Sequence, residues 1–321
     1  MKEKRHYSLK REFGFTREQK STQVCIFAIA LLASVPEFMQ MGLQEVGIIN
    51  IVLNVMSGII AYIVFREIFQ EKYIALMCSA LYVLSVYRTY LLYIADAREA
   101  VIFMMLLPLL VYGAYNINAW RKEHNYLPII ICIIGIIGLV IWYCAPIYNA
   151  YMNGEMQPKY MQQTGVTVAH LLFHFWERGE VTVWDKVTVT DSLPLGIGFV
   201  YILSLFLFGV LWYSGKLNKC YYSGKICAVI GSIFLMLSLN VFPWNYLQKK
   251  FSISSYFLYR MQSLDRFLMI AVVLLTVVFG YCLIWLKSQK GNWLYYLGII
   301  CGFISITTSS MYLVDFICAI K

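Results

Sequence analysis

Charge is what this sequence has least of. Asp, Glu, Lys and Arg make up 13% of its 321 residues, where a soluble domain carries about 25%. That scarcity excludes a water-covered globule, because 60% of the residues are hydrophobic and too few polar groups remain to coat such a core. No G-x-x-x-x-G-K-[ST], G-x-G-x-x-G or G-x-S-x-G element is present, so nucleotide-driven transport and α/β-hydrolase chemistry have no support. The nine cysteines include no C-x-x-C pair and mostly fall in apolar runs. They read as small packing residues, not a disulfide framework or a zinc site. No cofactor and no metal are expected, and no nucleic-acid partner.

What fills the chain instead is continuous apolar sequence. A helix needs about 20 such residues to cross the hydrocarbon core. Nine stretches qualify: 22–42, 46–69, 74–93, 99–118, 127–149, 194–213, 226–243, 264–286 and 293–317. The runs do not alternate, and backbone groups in lipid must be satisfied within the segment. The fold class is therefore all-α, a polytopic transmembrane helix bundle of about nine spans. Aromatics at 17%, with 25 Tyr and 8 Trp, suit rings placed at headgroup level.

Charge position orients the bundle. With the N-terminus inside, the inner segments hold 16 Lys and Arg against 6 Asp and Glu, and the outer ones 10 against 11. The opposite orientation would violate the positive-inside rule. The domain reading is a basic cytoplasmic tail over 1–21 and a single transmembrane domain over 22–321 in the cell membrane. An outer interfacial loop covers 150–193. Within it VTVAHLLFHFWERG (166–179) reads as an amphipathic helix lying in the interface. His170, His174 and Glu177 share a face there, but they lack the order of a zinc-protease motif and read as its polar edge.

Ionisable groups at membrane depth are functional candidates by default. Glu37 follows Pro36 near the outer end of the first span. Glu45 opens the second, where the helix dipole favours an acid. The densest cluster is LYVLSVYRTYLLYIADAREA (81–100), with Arg88, Asp96, Arg98 and Glu99 among Tyr87, Tyr90 and Tyr93. Arg forks beside tyrosines suit a phosphate headgroup, and Asp96 or Glu99 suits a general base. The same residues also fit a capped turn between two helices. Asp265 and Arg266 open the eighth span, where Asp265 fits a first-turn position. Lys249, Lys250 and Arg260 precede them as a basic outer patch.

The segment 81–117 resembles a recurring stretch in bacterial YfhO-like proteins and in membrane proteins labelled "6-pyruvoyl-tetrahydropterin synthase related". These are similar to the C-type glycosyltransferase (GT-C) superfamily. TDSLPLGIG (190–198), FPWNYLQ (242–248) and SLDRFLMIA (263–271) echo further motifs in the same order. The resemblance implies an outward-facing site for a polyprenyl-phosphate-linked sugar donor, with membrane lipids as surroundings. It implies Arg88, Arg98, Arg260 and Arg266 as lipid-phosphate ligands and Asp96, Glu99 or Glu37 as catalytic base. The family's first outer loop, with its acidic residue, has no counterpart here, since only LQEVG (43–47) separates the first two spans. The expectation is a shortened member that starts at a later span. Two other functions fit the same features: a lipid-linked glycan transporter or flippase, and a non-catalytic assembly subunit.

A cysteine introduced at Gln157 tests the orientation. It is expected to react with an impermeant maleimide on intact cells, and protection there reverses the topology.

Overall fold

The computed structural model describes residues 28–29, 48–93, 97–123, 165–168, 171, 196–217, 221–251, 264–289 and 293–320. Among them the architecture is helical. The one β feature is an isolated parallel bridge between Val166 and Leu239. In chain order the helices are α1 (Ile48–Phe69), α2 (Lys72–Val83), α3 (Val86–Tyr93), α4 (Arg98–Glu123), α5 (Phe199–Tyr213), α6 (Tyr222–Ser238), α7 (Trp244–Lys250), α8 (Phe267–Ser288) and α9 (Trp293–Ile320). A 3₁₀ turn, Leu264–Arg266, leads into α8. Among the described residues, three helices are long and apolar enough to cross a membrane, and four if the bent pair α2–α3 is taken as one span. The expected span 127–149, the tail 1–21, all of the expected span 22–42 except residues 28–29, and most of the loop 150–193 lie outside the described residues.

The bundle is built around α8. Every residue of α8 from Phe267 to Leu283 except Ile270 is buried. A helix apolar on all sides belongs inside a bundle, and α8 is packed by α6, α5, α2, α9, α4, α1 and α3. Close approach is bought with glycine. The Phe69 ring occupies the place where a Cβ on Gly280 would stand, and the Met77 thioether methyl does the same at Gly302. Aromatic rings continue the seam: Phe65 meets Tyr82 edge-on at 6.2 Å, and Phe69 meets Tyr281 edge-on at 5.5 Å. With little hydrophobic drive between helices in lipid, such small-residue contacts are what holds them together.

Helix ends follow local chemistry. α1 stops at Gln70, which takes a left-handed φ of 55° and donates its N–H to the Arg66 carbonyl. α5 ends in a paired cap: Gly215, at φ 69°, donates to Trp212, and Lys216 donates to Leu211. That is the arrangement a C-terminal glycine makes possible. At the same end of the bundle, Glu71 and Lys287 pair at 2.9 Å. Both are well exposed, so the pair contributes little.

Several boundaries differ from the apolar runs. The run 74–93 is not one helix. It breaks at Leu84–Ser85, and α2 and α3 meet at a bend of 42°. The run 226–243 stops as helix at Ser238, because the chain turns extended and exchanges backbone bonds with Val166. Val166 therefore belongs to this bridge and not to the expected interfacial helix. Residue 165 must be glycine there, since a Cβ would strike the backbone of Leu239 and Asn240. The run 194–213 is helical only from Phe199, after Gly198 at φ 96°.

α4 carries Pro108 in its interior. Proline has no N–H for the carbonyl four residues back, which is that of Met104. The buried Tyr82 hydroxyl donates to this carbonyl instead. Tyr82→Phe is expected to cost about 1–3 kcal/mol, the penalty of a buried polar group left unmade. In Pro108→Ala, which restores the N–H, the same change is expected to cost clearly less. A thermal-unfolding double-mutant cycle in nanodiscs checks this, and equal costs in both backgrounds would refute it.

Candidate functional site

The break between α2 and α3 lies within the bundle, so its backbone groups cannot turn to water. Each freed carbonyl of α2 has a side-chain donor. The Tyr201 hydroxyl of α5 donates to Leu81 at 3.1 Å. Ser85 donates to Tyr82 at 2.8 Å. Arg88 donates through Nη1 to Val83 at 3.1 Å. Ser85 and Thr89 make such local bonds readily, which is why they compete with helix continuation; Thr89 Oγ1 donates to the carbonyls of Ser85 and Val86. Tyr201 also accepts a hydrogen bond from Thr276 of α8 at 3.3 Å. The break is thereby tied to α5 and α8.

Arg88 ties it to α1 as well. Its side chain is 0% exposed. Nη1 donates to Asn54 Oδ1 at 2.6 Å, and Nη2 to Ser57 Oγ at 3.0 Å and the Leu53 carbonyl at 3.4 Å. Asn54 in turn donates to the Tyr93 hydroxyl at 2.8 Å. Every one of these partners of Arg88 is neutral. A buried guanidinium needs negative potential nearby, and the carboxyl end of α2 supplies it, since a helix carries about half a negative charge there.

On another side of α3, Tyr87 donates its hydroxyl to Asp265 Oδ2 at 3.0 Å. Asp265 is 4% exposed and sits in the 3₁₀ turn that starts α8. Arg266, half-buried, acts electrostatically on both Tyr87 and Tyr90, as does Asp265. Arg98 and Glu99 are exposed in the first turn of α4. That helix start is held close to α3, with the Ala97 N–H on the Leu91 carbonyl at 2.8 Å. One end of the bundle thus holds Tyr87, Tyr90, Asp265, Arg266, Arg98 and Glu99. Asp96, Glu37, Glu45, Arg260, His170, His174 and Glu177 lie outside the described residues. Among the described residues, no three His, Cys, Asp or Glu side chains gather as a metal site.

The expected arginines are therefore placed differently. Arg88 is inside, against α1, while Arg266 and Arg98 are at the bundle end. Asn54, Ser57, Tyr201 and Thr276 carry polar contacts of the break, and none carries a charge that would mark it out at membrane depth. A signal was present for two: Asn50, Asn54 and Ser57 recur at positions that share one helix face, and all three are buried.

The comparisons add no relative: no family model, no curated protein and no solved structure matches the chain.

Tyr201→Phe is expected to strip the Leu81 carbonyl of its donor and lower stability by about 1–3 kcal/mol. Thermal unfolding in nanodiscs measures it. An unchanged midpoint would show that the carbonyl finds another donor.

Proposed function

We propose that this chain is an integral membrane protein of the GT-C glycosyltransferase kind, handling a polyprenyl-phosphate-linked sugar at the outer face. The observation that carries this reading is the bundle end where Tyr87, Tyr90, Asp265 and Arg266 meet and Arg98 and Glu99 are exposed. It combines cations for a phosphate with a carboxylate open to an acceptor. In this reading about nine spans cross the cell membrane, the N-terminus is cytoplasmic, and the loop 150–193 lies on the same outer side. Arg98, Arg260 and Arg266 hold the lipid phosphate through their planar donor forks. Asp96, Glu99 or Glu37 takes the proton of the acceptor hydroxyl as the sugar–phosphate bond breaks, which requires hydrogen-bond reach of that hydroxyl. The polyprenyl phosphate is the leaving group.

One observation favours a second reading, a lipid-linked glycan transporter. Interrupted helices near a polar residue at membrane depth are how many transporters build their sites, and the α2–α3 break beside Arg88 has that form.

Purified protein in nanodiscs, given radiolabelled polyprenyl-phosphate sugars and a lipid acceptor, tests the two. The enzyme reading expects label transfer that falls by about 100-fold or more in Glu99→Gln or Asp96→Asn, as befits loss of a general base. Retention of the lipid without transfer would overturn it and leave an assembly subunit. Movement of the label across a proteoliposome bilayer without transfer would establish the transporter.

A further inference from the structure

Arg88 and Tyr87 are neighbours on α3, a helix of eight residues, and they face different partners. Arg88 engages α1 and the end of α2 through four hydrogen bonds. Tyr87 engages Asp265 at the start of α8. α3 is too short to hold its own position by helix propensity, since helices under about 12 residues are marginal alone. Its place is set by what its side chains grip. The Arg88 grip is the larger one. It is fully buried, it is charge-assisted, and through Asn54 it reaches Tyr93 at the far end of the same helix. The guanidinium fork spans two helices at once, which a single ammonium does not do. Its position leaves it no face toward an outer lipid headgroup.

We infer that Arg88 is a positioning residue: by anchoring α3 to α1 and to the carboxyl end of α2, it places Tyr87 where its hydroxyl meets Asp265. The bundle-end cluster then depends on a cation that does not belong to it. This holds whether or not the cluster transfers sugars, because the contact it sets is within the protein.

Hydrogen exchange of the protein in nanodiscs, without substrate, reads the effect. Three segments matter: α3 (86–93), the start of α8 (264–270) and, as the control, the first half of α6 (222–230), which packs beside Tyr281 toward the other end of α8 and supplies none of the Arg88 partners. Arg88→Gln is expected to raise exchange about tenfold or more in 86–93 and also in 264–270, as loss of charge-assisted bonds implies, with 222–230 unchanged. Arg88→Lys is expected to restore part of the protection in both. Tyr87→Phe alone is expected to raise exchange in 264–270, and adding Arg88→Gln to it should raise that segment no further, because both act through one contact. Asn54→Ala, which removes a single partner of Arg88, is the variant to use if Arg88→Gln does not fold, with smaller rises in the same two segments. Opening of 86–93 with 264–270 unmoved would overturn the inference and leave Arg88 a local staple. An equal rise in 222–230 would overturn it as general loosening. Lower retention of polyprenyl phosphate in Arg88→Gln, with exchange unaltered, would overturn it in favour of a headgroup ligand.

Discussion

A carbonyl released inside an apolar bundle must find a donor, and much of this structure follows from that constraint. Where α2 ends at Val83, three carbonyls leave the helix ladder far from water. Tyr201, Ser85 and Arg88 take them. Leaving even one unmet would cost about 1–3 kcal/mol. The same logic explains Pro108 in α4: the Met104 carbonyl it orphans receives the Tyr82 hydroxyl. Tyr82 and Leu81 are adjacent on α2, so one turn of this helix serves two separate backbone interruptions. The break is accordingly a specified feature, wired to α1, α5 and α8 and not left to a flexible joint.

The central helix makes this wiring possible. α8 presents nearly its whole surface to neighbours, and Thr276 at its middle connects to Tyr201, with Cys78 of α2 donating weakly to the Thr276 carbonyl at 3.8 Å. Glycines at 280 and 302 let Phe69 and Met77 lie directly on helix backbones. Such contacts are van der Waals in origin and depend on fit. They give the polar groups fixed distances, which a hydrogen-bond network requires. Apolar packing and polar satisfaction are thus two descriptions of one arrangement around α8.

Two polar assemblies flank α3 and differ in kind. The inner one, Arg88 with Asn54 and Ser57, is buried and contains a charge met by neutral dipoles. The other is Tyr87 with Asp265 beside Arg266; the start of α4, with exposed Arg98 and Glu99, is tied to α3 through Ala97 and Leu91. The second includes the half-buried Arg266. The first governs where α3 sits. In a family-based reading all four arginines were phosphate ligands. Arg88 is fully buried, whereas Arg98 is exposed and Arg266 half-buried.

Composition and continuous apolar runs were enough, without coordinates, to establish a helical chain with several helices fit for a membrane, because burial in lipid demands long uncharged segments and little else. Helix positions for α1, α4, α8 and α9 fall close to their runs for that reason. Residue type also marked Arg88, Asp265 and Arg266, since a charge at membrane depth is costly wherever it points. Direction was not legible. Hydropathy does not distinguish Leu84–Ser85 from any other pair in an apolar run, so the break could not be read. Without the break, Arg88 has no helix end to cap. Asn54, Ser57 and Tyr201 are neutral and distant in sequence, and only packing against α2 and α3 gives their hydroxyls and amide a task. Which residue meets which was decided by the tertiary structure, because a buried donor is assigned by geometry across helices and not by its neighbours along the chain.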